Sequence, residues 1–222
     1  MHIIIVGAGT VGDSLAGLAL KLGHQVVVIE EDETRAENAA EKHDALVLHA
    51  AIAEADIMDE AGARDCKALI ATTGDDSTNL MAMVLGQEYG IETLISTVNH
   101  KYHGRLFERL GVRTLVDPEV IVAQHLLDLV LHPTAEDVTT LSGREQIYHL
   151  RLAADSGLAD RDFGELESEG LLPEDVYIVS IHRDGEDFFP RTASRLRAGD
   201  ELIVFARRPL SEKSIQLFTG HR

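Results

Sequence analysis

The chain is poor in cysteine, in lysine and in long apolar runs, and each shortage excludes a class of protein. Its single cysteine, Cys66, rules out an intramolecular disulfide and a metal site built from several cysteines. No apolar run approaches the about 20 residues that a helix needs to cross a bilayer. The N-terminal residues lack the basic flank, apolar region and cleavage site of a secretory signal. We therefore expect a soluble, cytoplasmic protein.

Negative charge dominates the composition. The 222 residues include 38 Asp and Glu against 20 Lys and Arg, of which only five are lysines, and the formal net charge is −18. Such a surface repels nucleic acid, whose binding requires basic groups against the phosphates, so we predict no direct nucleic-acid partner. An acidic, lysine-poor surface is also typical of a halophile, in which concentrated salt screens self-repulsion; an ordinary acidic bacterial protein is the alternative.

Short apolar runs rich in β-branched residues alternate with amphipathic stretches in the first part of the chain. The runs are His2–Val6, Gln25–Ile29, Ala45–Leu48, Ala68–Ala71, Thr93–Val98 and Arg113–Val116. Because they are nearly continuous, they predict parallel strands buried on both faces. Six strands alternating with helices predict an α/β fold, a Rossmann-like doubly wound parallel sheet. In its first helix, we expect one buried stripe made of Leu15, Leu18, Ala19 and Leu22.

The second part of the chain has a different pattern. Asp117-Pro118 opens the helix Glu119–Leu131, which is apolar around most of its circumference and must be covered by its own domain or by a partner chain. The polar residues 134–143 predict a linker. Short strands separated by turns follow. We therefore predict a Rossmann-like nucleotide-binding domain at residues 1–133 and a second, smaller α+β domain at residues 144–222.

The strongest motif is Gly7-Ala8-Gly9-Thr10-Val11-Gly12, a GxGxxG pattern that directly follows a strand and opens a helix. In this pattern Gly7 permits a tight turn, Gly9 lets the backbone approach a pyrophosphate, and Gly12 allows close packing of the helix on the strand. Together with Thr10 and Val11, these glycines expose the helix N-terminus, whose free N–H groups and dipole favour phosphates. The motif predicts a nucleotide-binding loop.

Glu30 ends the second predicted strand, 18 residues after Gly12. An acid at this point accepts hydrogen bonds from ribose hydroxyls and repels a 2′-phosphate, which favours NAD or an adenosine nucleotide over NADP. Glu31 lies next to it in an acidic cluster. Arg35 either reaches a phosphate or is a solvated surface arginine.

The loop Thr72-Thr73-Gly74 follows the fourth strand at the same edge of the sheet. Its hydroxyls either bond the nucleotide or cap the next helix. His100 and His103 have helical spacing but no acidic or cysteine partner nearby in sequence, so we interpret them as exposed histidines and predict no metal site. No catalytic motif accompanies the glycine loop, and we predict that the chain is not an enzyme; an NAD-dependent oxidoreductase of unknown substrate is the alternative.

Several stretches together resemble the RCK (KTN) family of regulatory domains of potassium transport, and within it the TrkA-like subunits of Trk-type uptake systems. The stretches in the first part are IIIVGAGTVGDSLA, VVVIEEDETR, DALVLHAAIAEADIMDEAGARDCKALIATTGDDSTNLM and VNHKYHGRLFERLGVRTLVDPE. Those in the second part are LADRDFGELE and LLPEDVYIVSIHRDGEDFFPRTASRLRAGDELIVFA, similar to the family's C-terminal domain.

The resemblance implies a regulatory subunit that binds NAD(H) or an adenine nucleotide (ATP, ADP or AMP) without turning it over. It implies a cytoplasmic protein, peripheral at the inner face of the cell membrane, that gates a membrane-embedded potassium channel or transporter subunit of the TrkH-like kind. It also implies a homodimer that assembles into higher rings. By the same resemblance the nucleotide contacts are Gly7, Gly9, Gly12, Glu30 and the pair Thr72-Thr73.

One departure from the family lies after the third strand. Where the family commonly has Gly-Asp-Ala-Thr, this chain has Ala50-Ala51-Ile52-Ala53. The aspartate that Ala51 replaces is a polar anchor for the adenine edge, so its loss predicts weaker binding or an altered choice of nucleotide.

Overall fold

The computed structural model of the chain describes residues 1–141, 143–190 and 195–220. It contains two compact units, Met1–Val120 and Ile121–Arg222, each with its own sheet and hydrophobic core. Within the described ranges, no helix is long and apolar enough to cross a membrane.

Six parallel strands form the sheet of the first unit. They are β1 (His2–Val6), β2 (Gln25–Glu30), β3 (Leu46–His49), β4 (Ala68–Ala71), β5 (Thr93–Val98) and β6 (Arg113–Val116). Their order across the sheet is β3-β2-β1-β4-β5-β6, so the direction of winding reverses between β1 and β4. The bounds agree with the sequence prediction to within one residue at each end. The predicted Rossmann-like doubly wound sheet is confirmed.

The helices of this unit cover both faces of the sheet. They are α1 (Thr10–Lys21), α2 (Glu33–Lys42), α3 (Ile57–Glu60), α4 (Asp76–Glu88) and α5 (Gly104–Arg109), with a short 3₁₀ turn at Ala63–Asp65. Alternate residues of β1 enter separate hydrophobic clusters: Ile4 and Val6 join one, Ile3 and Ile5 the other. Burial on both faces explains why the strands are nearly continuous apolar runs.

The predicted apolar stripe of α1 is wrong at two of its positions. The helix buries Gly12, Ala16 and Ala19, whereas Leu18 and Leu22 are 60% and 75% exposed. The physical reason is the close approach of the helix to the sheet: a Cβ on Gly12 would lie 1.8 Å from the carbonyl oxygen of Gly7. Only the smallest side chains fit at that distance, so the large leucines lie on other faces.

The second unit contains an antiparallel five-stranded sheet in the order β10-β9-β11-β8-β7. Its strands are β7 (Asp137–Thr140), β8 (Gln146–Arg151), β9 (Val176–Arg183), β10 (Glu186–Phe188) and β11 (Glu201–Ala206). The helices α7 (Phe163–Ser168) and α8 (Glu212–Thr219) accompany it. Tyr148, Leu202 and Phe218 are fully buried in its core. The predicted smaller α+β domain is confirmed as a fold class.

The range 134–143, predicted as a linker, contains strand β7, which pairs with β8; residue 142 lies outside the described residues. The strand is short and at the sheet edge, and Val138 is its one buried residue, so its polar composition concealed it. The compact units divide at 120/121 rather than at residue 133. The functional domain boundaries at 133 and 144 stay a prediction.

Helix α6 (Pro118–Leu131) is as apolar as the sequence indicates, and it is largely uncovered. Asp128 is its one buried residue among those described. Seven large apolar side chains are at least half exposed: Val120, Ile121, Val122, Leu126, Leu127, Val130 and Leu131. An apolar surface of this kind is typical of an interface.

Every non-glycine residue with a positive φ in the described part of the chain is an aspartate. They are Asp56, Asp117, Asp160, Asp175 and Asp184, with φ between 48° and 64°. Aspartate tolerates this left-handed conformation better than most residues because its short side chain bonds the local backbone.

Candidate nucleotide-binding site

A cleft of about 310 Å³ lies at the carboxyl ends of the parallel strands. Residues that follow β1, β2, β3 and β4 line it, so it straddles the β1–β4 junction where the winding reverses. Sheets of this kind bind their ligands at that junction.

The cleft brings together eight of the eleven residues predicted from the sequence: Gly7, Gly9, Glu30, Glu31, Arg35, Thr72, Thr73 and Gly74. The other three lie apart from it. Thr10 lines a neighbouring depression at the start of α1, Val11 is 47% exposed, and Gly12 is buried beneath the loop. That any of the eleven contacts a ligand stays a prediction.

The glycine loop has the geometry that its sequence indicates. Gly7 has φ +98°, a conformation that favours glycine, and a Cβ there would lie 2.9 Å from the Thr73 methyl carbon. Gly9 has φ −66°, which any residue adopts, and a Cβ on it would meet nothing within 4 Å. The space in front of Gly9, at the N-terminus of α1, is therefore open to a ligand.

The Glu30 carboxylate is buried and tied to the loop. Its Oε2 accepts the N–H of Ala8 at 2.6 Å, while its Oε1 accepts the N–H of Asp32 and the Arg35 guanidinium, both at 2.9 Å. Burial alone would raise the pKa of Glu30, but the hydrogen bonds from Arg35, Asp32 and Ala8 outweigh it, and the pKa lies below its usual value. The acid is therefore ionised and locks the loop to the end of β2.

Arg35 projects into the cleft with about half of its side chain exposed. Its ion pair with Glu30 raises the pKa of the guanidinium, which stays charged. Arg35 is the one cation that lines the described cleft, against the carboxylates of Glu30, Glu31 and Asp75. The cleft thus offers one guanidinium group to a phosphate, but its lining residues carry an excess of negative charge.

The two threonines of the loop after β4 have different roles. The Thr72 hydroxyl donates to the Gly7 carbonyl at 3.2 Å and so joins the two loops of the cleft. The cap of α4 is Asp75, whose carboxylate accepts the N–H of Thr78 at 2.7 Å, rather than either threonine. The Thr73 hydroxyl donates to the Oδ1 of Asn79 at 2.7 Å.

A buried polar network beneath Thr73 was not predicted from the sequence. The Asn79 side chain, which is fully buried, accepts the Thr73 N–H and donates to its carbonyl, both at 3.0 Å. Asn99 donates to the same carbonyl and to Asp76, at 3.1 and 2.9 Å. These bonds fix Thr73 against the cleft. Their signal in the sequence is weak, because polar residues at helix starts and strand ends are common.

The acid Asp76 lies at the centre of this network. Its Oδ2 also forms a hydrogen bond with the ring nitrogen Nδ1 of His103 at 2.7 Å. Burial alone would raise the pKa of Asp76, but the hydrogen bonds from Asn99, His103 and His100 hold it below its usual value. The fold therefore gives His103 the acidic partner that sequence spacing did not show.

Cys66 is buried in the core, and burial raises the pKa of its thiol.

The third-strand side of the cleft is apolar. Ala50 and Ile52 line it, and the N–H of Ala51 donates to the Oε1 of Glu54 at 2.7 Å. A flat apolar ring fits this wall by contact rather than by hydrogen bonds.

Family comparisons agree with this architecture. The TrkA-N domain family matches residues 3–118, and the TrkA-C domain family matches residues 147–213. The chain belongs to the TrkA family. The resemblance found in the sequence is thereby confirmed for both parts of the chain.

Two TrkA relatives illustrate how far the similarity extends. The chain is 30% identical to the Trk system potassium uptake protein TrkA homolog of Methanothermobacter thermautotrophicus, over 99% of this chain and 100% of the relative. It is 31% identical to the Archaeoglobus fulgidus homolog over 93% of this chain, but it spans only 47% of that relative. The chain is thus a TrkA-like protein of potassium uptake systems and, as a member of this family of regulatory subunits, is not an enzyme.

Solved structures share the fold. The GsuK channel bound to NAD superimposes with a TM-score of 0.60 at 18% identity, over 99% of this chain and 39% of the channel chain. The Kef CTD of Shewanella denitrificans in its AMP-bound form has a TM-score of 0.50 at 20% identity, over 59% of this chain and 81% of the other.

Proposed function

We propose that the chain is a cytoplasmic regulatory subunit that binds a nucleotide in the cleft and thereby gates potassium transport through a membrane-embedded partner. The observation that carries the proposal is the open cleft in front of Gly9, at the switch point of a TrkA-N domain. The partner is a channel or transporter subunit of the TrkH-like kind, met at the inner face of the membrane.

The ligand is NAD(H) or an adenine nucleotide. In this assignment the pyrophosphate of NAD(H), or the phosphate of AMP, lies over Gly9 and the α1 N-terminus, with Thr10 and Val11 on its far side. The ribose contacts Glu30 and the adenine rests on the apolar wall of Ala50 and Ile52. The excess of carboxylates around the single Arg35 favours ligands with few negative charges, so NAD(H) and AMP are preferred to ATP.

The same proposal includes a homodimer, and rings built from such dimers. The exposed apolar side chains of α6 supply the contact, because a helix with so little of its apolar surface covered is stabilised by a second copy of itself. A ligand that binds one hinge angle of the dimer better than another shifts the population between them, and this is how binding reaches the membrane partner.

Calorimetric titration of the full chain with NAD⁺, NADH, ATP, ADP and AMP tests the proposal. We expect at least one of them to bind with one site per chain. The variant Gly9→Ala keeps its stability, because its Cβ meets nothing within 4 Å, but it loses at least about tenfold in nucleotide affinity because the methyl group occupies the phosphate position.

The matched control is Gly104→Ala at the start of α5, whose Cβ makes only an ordinary contact of 3.6 Å with Val116 and which does not line the cleft. The nucleotide affinity of Gly104→Ala should equal that of the parent. Failure of all five nucleotides to bind at millimolar concentration would refute the ligand-gated function.

A further inference from the structure

The second unit carries a cluster of metal-ligating side chains that lies apart from the nucleotide cleft. His149 is on β8, Glu136 immediately precedes β7, and Glu201 begins β11. Because β8 lies between β11 and β7, the histidine has one carboxylate on each side. We propose that Glu136, His149 and Glu201 bind one divalent transition-metal ion of the zinc class.

The distances fit a metal site better than a hydrogen-bonded cluster. One oxygen of each carboxylate and one ring nitrogen of His149 lie within 4.8 Å of one another. Nδ1 of His149 lies 3.8 Å from Glu136 and Nε2 lies 3.7 Å from Glu201, and both distances are too long for hydrogen bonds. Ligands around a tetrahedral zinc ion, with bonds of about 2.0–2.2 Å, are about 3.4 Å apart. Side-chain movements of up to about 1.4 Å, the difference between 4.8 and 3.4 Å, bring one ring nitrogen and both carboxylates to that spacing.

Arg151 holds both carboxylates in place without using the oxygens that face the histidine. Its Nε donates to Oε1 of Glu136 and its Nη2 donates to Oε1 of Glu201, each at 2.7 Å. The Oε2 atoms are the ones nearest to His149. Hydrogen bonds of this kind orient ligating carboxylates in metal sites. With a neutral imidazole the four side chains carry a net charge of −1, which still attracts a dication.

The sheet fixes the backbone on which the cluster is built. The Glu136 N–H donates to the carbonyl of His149 at 2.9 Å, which fixes the two residues side by side. Tyr148 and Leu150, the neighbours of His149 in β8, are fully buried and anchor the strand. The side chains of the three ligands are about one-third exposed, 28% to 35%, so an ion can enter and the site is only partly hydrated.

The donor set selects the class of ion. An imidazole with two carboxylates suits zinc and its neighbours in the first transition series, whereas calcium and magnesium prefer oxygen donors alone. Three protein ligands leave a coordination position open for water or for a group from another molecule. A bound ion joins β7, β8 and β11 and so stabilises the second unit.

Zinc titration of the full chain by calorimetry at pH 7.5 tests the proposal, with cobalt(II) as the spectroscopic probe. We expect saturable binding of one ion per chain, with a visible cobalt absorption band. His149→Ala and Glu201→Gln each weaken binding by at least about tenfold. The control is His49→Ala in the other unit: His49 is exposed at the end of β3 and belongs to no group of three metal-ligating side chains among the described residues, so its loss leaves zinc affinity unchanged.

Urea unfolding of each variant in the presence of a chelator verifies that all of them fold as the parent does. The proposal is overturned if no saturable binding occurs, if His149→Ala binds zinc as tightly as the parent, or if His49→Ala reduces zinc affinity as much as His149→Ala does. Nucleotide binding involves the other unit, so failure of the metal site leaves the proposed regulatory function untouched.

Discussion

Replacing Glu30 by glutamine tests whether the buried acid holds the glycine loop in place. The carboxylate accepts three hydrogen bonds, from the Ala8 and Asp32 N–H groups and from Arg35. A glutamine side chain has only one acceptor oxygen, so its NH₂ group must face one of these donors. If the amide oxygen keeps the bonds to Asp32 and Arg35, the Ala8 N–H loses its partner.

The expected cost follows from these contacts. A lost hydrogen bond to a charged group costs about 1.5–3 kcal/mol, and the weakened pair with the half-exposed Arg35 adds about 0–1 kcal/mol. We expect Glu30→Gln to lower the free energy of unfolding of the first unit by about 1.5–4 kcal/mol. Urea unfolding at pH 7 measures this change, and amide hydrogen exchange of Ala8 reports the broken bond directly.

Two comparisons make the test specific. Glu31→Gln removes the same charge from the next residue, whose side chain is exposed, and should change stability by less than about 0.5 kcal/mol. Because the folded-state pKa of Glu30 is lowered, its contribution is full above the usual value of 4.5 and is lost as the pH falls below it. The difference in the free energy of unfolding between the parent and Glu30→Gln therefore becomes smaller in acid. Equal effects of the two substitutions, or unchanged exchange of Ala8, would refute the reasoning.

Three further predictions concern buried and strained polar groups. Asn79→Ala removes four hydrogen bonds to Thr73 and Thr97 and should cost about 2–4 kcal/mol in urea unfolding, whereas Ser77→Ala on the exposed face of the same helix should cost less than about 0.5 kcal/mol. The lowered pKa of Asp76 means that its stabilisation is full above its usual value of 3.8 and is lost below it; the Asp76→Asn variant should lack this part of the acid sensitivity of the urea midpoint. Asp184→Asn, in the β9–β10 turn, should increase the free energy of unfolding by about 0.5 kcal/mol and raise the thermal midpoint slightly, because Asn-Gly suits two successive positive φ values. An unchanged or lower midpoint would count against this prediction.

The sequence predicted the parts of the site that depend on local patterns. The six parallel strands are recognisable because burial on both faces makes them continuous apolar runs, and the glycine loop is recognisable because Gly7, Gly9 and Gly12 have fixed spacing. Glu30 follows from the end of β2. These features need no knowledge of which strands are neighbours.

The sequence did not predict the parts that depend on tertiary neighbours. Asn99 and Asp76 meet because β4 and β5 are adjacent in the sheet, and their separation of 23 positions shows no regular pattern. The buried face of α1 depends on a close approach at Gly12, which hydrophobic periodicity does not encode. The His149 cluster likewise arises from strand order: its members come from positions 136, 149 and 201 and share no motif.

The aspartates with positive φ have a consequence for protein engineering. Each of the five occupies a conformation that glycine or asparagine adopts at lower cost, and each carries a negative charge. Exchanging all five for these residues would reduce the formal charge from −18 to −13 and relieve backbone strain at the same time. The chain therefore offers a route to a less negatively charged variant in which every change falls between secondary-structure elements, at the loss of the ion pair between Asp175 and Arg207.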